Sequence, residues 1–149
     1  MHQVRVQTEP FDIRAEQEGL FQGNPRIGAL VTFVGLMRDL NEGIGVSRMT
    51  LEHYPGMTEK ALGALAAEAA ARWDLEGLRI VHRVGTLEPL DPIVFVGVVS
   101  QHRGDAFRAC EFLIDALKTR APFWKKEITD MGERWVESRE TDEEAVLRW

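Results

Sequence analysis

The sequence predicts an α+β fold in which two main helices lie beside a mainly antiparallel sheet. The first observation is the element order over the central part of the chain: strand, helix, strand, strand, helix, strand. That order matches the split βαβ pattern of a ferredoxin-like unit, βαββαβ, with extra strands at each end. The second is a pair of segments, 57–73 and 105–120, whose apolar residues recur at helical spacing. The third is a set of β-branched runs around them, bounded by glycine and proline.

Residues 3–8 alternate as a first strand, and Asp12 stands where it can cap a short helix over 13–22. Gly23-Asn24-Pro25 ends that helix. The nearly continuous apolar run 27–35 reads as a buried strand. The segment 37–45 holds Arg38, Asp39, Asn41, Glu42 and two glycines, and reads as a mobile polar loop. A strand follows at 46–53. In the helix at 57–73, Leu62, Leu65, Ala66, Ala69 and Trp73 make one stripe. Strands are read at 78–85 and 93–100, and Glu88-Pro89-Leu90-Asp91-Pro92 between them suits a hairpin-like connection. The helix at 105–120 places Ala106, Cys110, Leu113 and Leu117 on its stripe, with Phe107 and Ile114 beside it, and Pro122 stops it. Strands at 123–128 and 134–137 and a loop or short helix at 141–144 complete the chain. Trp135 and Trp149 suit either an interface or the cover of a core.

A chain of 149 residues without repeats or a linker reads as one domain, 1–149, and buries roughly 70% of the surface it exposes when unfolded. Its hydrophobic fraction of 44% and charged fraction of 28% are those of a soluble globular protein. No stretch approaches the roughly 20 apolar residues of a membrane span, and the first residues lack the apolar run of a signal peptide. A cytoplasmic protein is expected. The single cysteine, Cys110, sits on an apolar stripe and reads as core; it excludes an internal disulfide and a multi-thiolate metal site within one chain. His53, His82 and His102 lack metal-ligand spacing, and His82 reads as a structural strand histidine, so no metal or cofactor is expected. A net charge of -6 argues against nucleic acid, whose phosphates need a broad basic surface. A small anion needs only one local pocket.

Three constellations offer such a pocket. The strongest is Lys118-Thr119-Arg120-Ala121-Pro122-Phe123-Trp124-Lys125-Lys126-Glu127, four cations within ten residues, broken by Ala-Pro and flanked by aromatics. Lys118 falls in the last turn of its helix, where a cation complements the dipole. On the next strand, alternation puts Phe123, Lys125 and Glu127 on one face and Trp124 and Lys126 on the other, so the two lysines cannot share a pocket. The bland alternative is a set of solvated lysines on a helix end and an edge strand. The second constellation is Ser100-Gln101-His102-Arg103-Gly104, where a strand runs into a helix amino terminus, a natural place for an anion. It lies a helix length from Lys118, so a pocket using both would span a subunit interface. The third is Gly35-Leu36-Met37-Arg38, at the mouth of the polar loop. No P-loop, nucleophile elbow, zincin motif or complete dinucleotide fingerprint is present.

Longer words then carry a resemblance. The segment 51–62, Leu-Glu-His-Tyr-Pro-Gly-Met-Thr-Glu-Lys-Ala-Leu, together with 93–98, 100–103, 117–126 and Arg134-Trp135-Val136-Glu137, resembles the large, catalytic subunits of molybdopterin synthases. The resemblance covers almost the whole chain. It implies an α/β-hammerhead type of α+β fold in place of the ferredoxin-like one. It also implies a sulfurtransferase of molybdenum cofactor biosynthesis, in which a small ubiquitin-like subunit inserts a Gly-Gly thiocarboxylate and two sulfurs pass to cyclic pyranopterin monophosphate. The implied assembly is a homodimer of large subunits with a small subunit at each end. Residue by residue, the resemblance gives Lys118 and Lys125 catalytic roles. Arg38, His102 and Arg103 match the substrate's anion site, Lys126 and Glu127 extend the binding strand, and Arg139 matches an arginine near the pocket. Leu36-Met37, also at the substrate, departs from the small or β-branched pair expected before this arginine. A noncatalytic module that binds a ubiquitin-like tail or an anionic metabolite is the alternative.

Overall fold

In the computed structural model, which describes residues 2–136 and 140–149, thirteen elements follow one another. They are β1 (His2–Gln7), α1 (Ile13–Phe21), β2 (Ala29–Leu36), β3 (Leu40–Asn41), β4 (Ile44–His53), α2 (Met57–Arg72) and β5 (Gly77–Arg83). After these come β6 (Gly85–Leu87), β7 (Pro92–Ser100), α3 (Arg103–Arg120), β8 (Phe123–Thr129), β9 (Gly132–Val136) and α4 (Glu140–Val146). The expected cap is made: Asp12 accepts from the Ala15 amide at 3.1 Å.

The strands form two sheets. The first has the order β1-β5-β7-β2, with β1 parallel to β5 and the other pairs antiparallel. The second has the order β3-β4-β8-β9, all antiparallel, with β6 also paired to β4. This is an α+β fold, mainly antiparallel, with α2 and α3 as its two long helices.

The ferredoxin-like alternative fails on strand assignment. It requires β4, β5, β7 and β8 in one sheet, whereas β4 and β8 leave β5 and β7 and pair with each other from Val46↔Thr129 to His53↔Phe123. The reason is burial. β5 and β7 are buried on both faces at the centre of a sheet covered on both sides, while β4 and β8 alternate and can bury only one face. Val94, Val96 and Val98 of β7 face Leu62, Leu65 and Ala66 of α2 and Ala109, Phe112 and Leu113 of α3. On the opposite face Gly97 admits α1 so closely that a Cβ there would lie 2.5 Å from Leu20 Cδ1.

The connection between β5 and β7 is not a simple hairpin. Gly85, at φ 89°, turns the chain out of the first sheet, and β6 then joins the second. Only glycine adopts that φ without strain. The segment read as a mobile polar loop is also partly ordered: Leu40 and Asn41 pair with Gly45 and Ile44 around Glu42-Gly43, both at positive φ, as a tight hairpin requires. Met37, at its start, is buried in a second core with Val46, Met49, Leu51, Val84 and Leu87. Cys110 is core, and burial pushes its thiol up to about 11. Phe107 departs from the helix-stripe reading, standing 60% exposed. Trp149 covers the first core, its ring against Trp73 and Phe112 and its Nε1 donating to Asp115 at 2.7 Å.

Candidate active site

The end of α3 and the start of β8 build one wall of the site. Ala121 is extended and Pro122 prevents another helical turn, so the chain reverses and runs back along β4. Thr58, fully buried at the start of α2, locks this reversal: its hydroxyl donates to the Pro122 carbonyl at 3.1 Å and accepts from the Tyr54 amide at 3.0 Å. Lys118 and Lys125 therefore reach the same space from two elements.

That space is a cleft of about 1030 Å³. Leu36, Met37 and Arg38 enter from the end of β2, Asn41 and Glu42 from the β3–β4 hairpin, and Lys118 and Thr119 from α3. Phe123, Lys125 and Glu127 enter from β8, as their alternation requires, and Arg134 and Trp135 from β9. Lys126 points away, with its Nζ 3.5 Å from Glu133 and 5.5 Å from the centre of the Trp135 ring. Arg120 also leaves the cleft and donates to Glu68 at 2.9 Å.

Among the described residues, four cations, Arg38, Lys118, Lys125 and Arg134, line the cleft against two carboxylates, Glu42 and Glu127. Glu127 is 3% exposed and engaged on both oxygens. Arg134 donates to its Oε1 through Nε at 3.0 Å and Nη2 at 2.8 Å, and Asn41 Nδ2 reaches its two oxygens at 3.1 and 3.0 Å. Its carboxylate thus ties the hairpin and β9 to β8 and shapes the cleft. Lys118 and Arg38 are exposed, while Lys125 is half-buried. The apolar part of the lining comes from Met37, Leu51, Ile93, Leu117 and Phe123. Such a cleft suits an anion with a flat organic body, and its two amines can polarise a carbonyl or thiocarbonyl group.

The other candidates lie elsewhere. His102 is the N-cap residue of α3 and Arg103 its first residue, both exposed, and neither borders the cleft. Fifteen residues of helix separate Arg103 from Lys118, roughly 22 Å along the axis. Arg139 falls outside the described residues. Among the described residues no group of three or more His, Cys, Asp or Glu side chains is placed to hold a metal ion.

Sequence reasoning missed much of the lining, most notably Arg134, Asn41 and His82. Arg134 and Asn41 are legible only once the β8–β9 register, which sets Glu127 opposite Arg134, is known. His82, which reads from sequence as a structural strand histidine, is in part structural: its ring stacks on Phe123 at 3.9 Å and 19°. It also borders the cleft. Burial, with the charge of Lys118 as a smaller cause, pushes its imidazole down to about 4.

A family model described as MoaE protein matches residues 6–120. The chain belongs to the MoaE family. It is 59% identical over 146 residues to the molybdopterin synthase catalytic subunit of Pseudomonas aeruginosa, covering 98% of this chain and 97% of that one. Among solved structures, the MoaE protein of Burkholderia ambifaria is 58% identical, with a TM-score of 0.86 over 100% of this chain and 98% of that one. A molybdopterin synthase from Staphylococcus aureus is 36% identical, with a TM-score of 0.82 over 89% and 95%. Membership of the MoaE family sets the activity at the family's level, that of the catalytic subunit of molybdopterin synthase in molybdenum cofactor biosynthesis. No helix among the described residues is long and apolar enough to cross a membrane.

Proposed function

We propose that this MoaE chain is a sulfurtransferase that moves sulfur from the carboxy-terminal thiocarboxylate of a small ubiquitin-like subunit to cyclic pyranopterin monophosphate. Two transfers form the dithiolene of molybdopterin. The single observation that supports this most is the convergence of Lys118, Lys125 and Arg38 in one cleft. Lys118 meets the incoming tail, where it polarises the thiocarboxylate or serves as an amine nucleophile. Lys125 assists as sulfur adds to the pterin and oxygen leaves. Arg38, with Leu36 and Met37, holds the anionic substrate. Lys118 is exposed in this chain alone, so the desolvation that makes its amine effective has to come from the tail that enters.

His102 and Arg103 support a shared site. Because α3 carries them away from the cleft of their own chain, their proposed contact with the substrate requires a second copy, within a homodimer that carries two small subunits. Lys126, turned toward Glu133 and Trp135, acts on the edge of the site. Arg139 is proposed to assist substrate binding. The reaction is placed in the cytoplasm, where the lone Cys110 stays reduced.

The test is reconstitution with thiocarboxylated small subunit and cyclic pyranopterin monophosphate. Lys118→Ala and Lys125→Ala are each expected to lose on the order of 100-fold in product formation while still binding the small subunit. Full dithiolene formation in both variants sinks the assignment, and loss of binding with nothing else points to a noncatalytic module. Mixing Lys118→Ala with Arg103→Ala chains checks the shared site: mixed dimers regain one intact cleft and part of the activity.

A further inference from the structure

His82 borders the cleft, yet the reaction outlined above gives it no task. It stands near the end of β5 and is 6% exposed. A backbone carbonyl can only accept, so the 2.8 Å contact between Nδ1 and the Arg83 carbonyl puts the ring proton on Nδ1. The Phe123 ring, stacked at 3.9 Å, takes one face of the imidazole. The backbone thus holds Nδ1 and the aromatic stack fixes the plane, which leaves the Nε2 lone pair for the cleft. The groups around this ring are Lys118 from α3, His53 from β4 and, on the same cleft wall, Lys125 from β8.

We propose that His82 is a positioning residue for Lys118: its Nε2 accepts a hydrogen bond from the Lys118 amine and fixes that amine in the cleft when the small subunit's tail enters. The inference rests on the role given to Lys118. An uncharged acceptor is the group this position calls for. A carboxylate here would pair with Lys118 and compete with an anionic tail. An imidazolium would add a fifth positive charge beside Arg38, Lys118, Lys125 and Arg134. Burial keeps the ring neutral, with its pKa pushed down to about 4.

Two substitutions separate this role from support of the fold. His82→Asn keeps a donor near the Nδ1 position and removes Nε2, whereas His82→Gln places an amide oxygen near Nε2 and gives up the bond to Arg83. In the reconstituted complex, His82→Asn is expected to lower kcat on the order of tenfold, with the KM for cyclic pyranopterin monophosphate nearly unchanged. His82→Gln is expected to recover most of that loss. Unchanged kcat in His82→Asn, or equal losses in both variants, overturns the proposal. A wild-type complex that makes no product instead overturns the sulfur-transfer reading. A second measurement needs no turnover: acetylation of Lys118 relative to exposed Lys60, read by peptide mass spectrometry with a small N-hydroxysuccinimide ester and the bound small subunit. The ratio is expected to change about threefold or more in His82→Asn, and an unchanged ratio also overturns the proposal.

Discussion

The two sheets divide the molecule's work. The first, with α2 and α3 against it, buries a broad core that includes Leu62, Leu65, Ile80, Val96, Phe112 and Leu113. The second has a smaller apolar core, Met37, Val46, Met49, Leu51, Val84 and Leu87, and the same face continues, with the end of α3, into the cleft that Met37, Met49 and Leu51 also line. Each sheet region also holds a buried glutamate clasped by side-chain N–H donors. Glu16 takes Arg5 and Arg79 and fastens α1 to β1 and β5. Glu127 takes Arg134 and Asn41 and fastens two neighbouring elements around an open space. The same chemistry is architectural where both faces are covered and site-building where one face is open.

The largest expected effect lies in the first region. Phe112→Ala removes a ring packed between Trp73 and Trp149 and costs about 3–5 kcal/mol in denaturant unfolding. A loss below about 1.5 kcal/mol would mean that this core collapses around the cavity and is less rigid than the division implies.

Next is a pH effect at the seam between the two regions. The folded-state pKa of His82 is depressed from 6.5 to about 4, so between these values the unfolded chain binds the extra proton and the native chain does not. Stability from this group is intact above pH 6.5. It falls by about 3 kcal/mol as the pH drops to 4, and changes little further below that. His82→Phe is expected to flatten this part of the stability–pH curve, and an unaltered curve would assign the acid sensitivity to other groups.

The smallest effect is the sharpest comparison. Glu16→Ala takes the shared carboxylate from the part-buried Arg5 and Arg79, Glu127→Ala takes it from the part-buried Arg134 and from Asn41, and each is expected to cost about 2 kcal/mol. Only Glu127→Ala should also lower sulfur transfer at a temperature where both variants are folded. Equal activity in the two variants breaks the division.

Much of this was legible in the chain. The stripe Leu62, Leu65, Ala66, Ala69 predicted the buried face of α2 because helical periodicity is a local property. Alternation on β8 likewise separated Lys125 from Lys126. The ordered hairpin at Leu40–Asn41 was not recognised, because the Asn41-Glu42-Gly43 turn resembles any polar loop until its strands pair. Nor was Arg134, whose meaning depends on standing opposite Glu127 across a register.

By itself the sequence determined the order of the main strands and helices, the apolar faces, the α+β class and, through long motifs, the family. These follow from local periodicity and from residue identity. Only the tertiary structure decided that β4 and β8 leave the central sheet and that Leu36, Met37, Arg38, Lys118, Lys125 and Glu127 share one cleft, whereas helix length already set His102 and Arg103 apart from Lys118. Those outcomes depend on which strand edges meet, and strand pairing is a long-range choice set by burial over the whole chain.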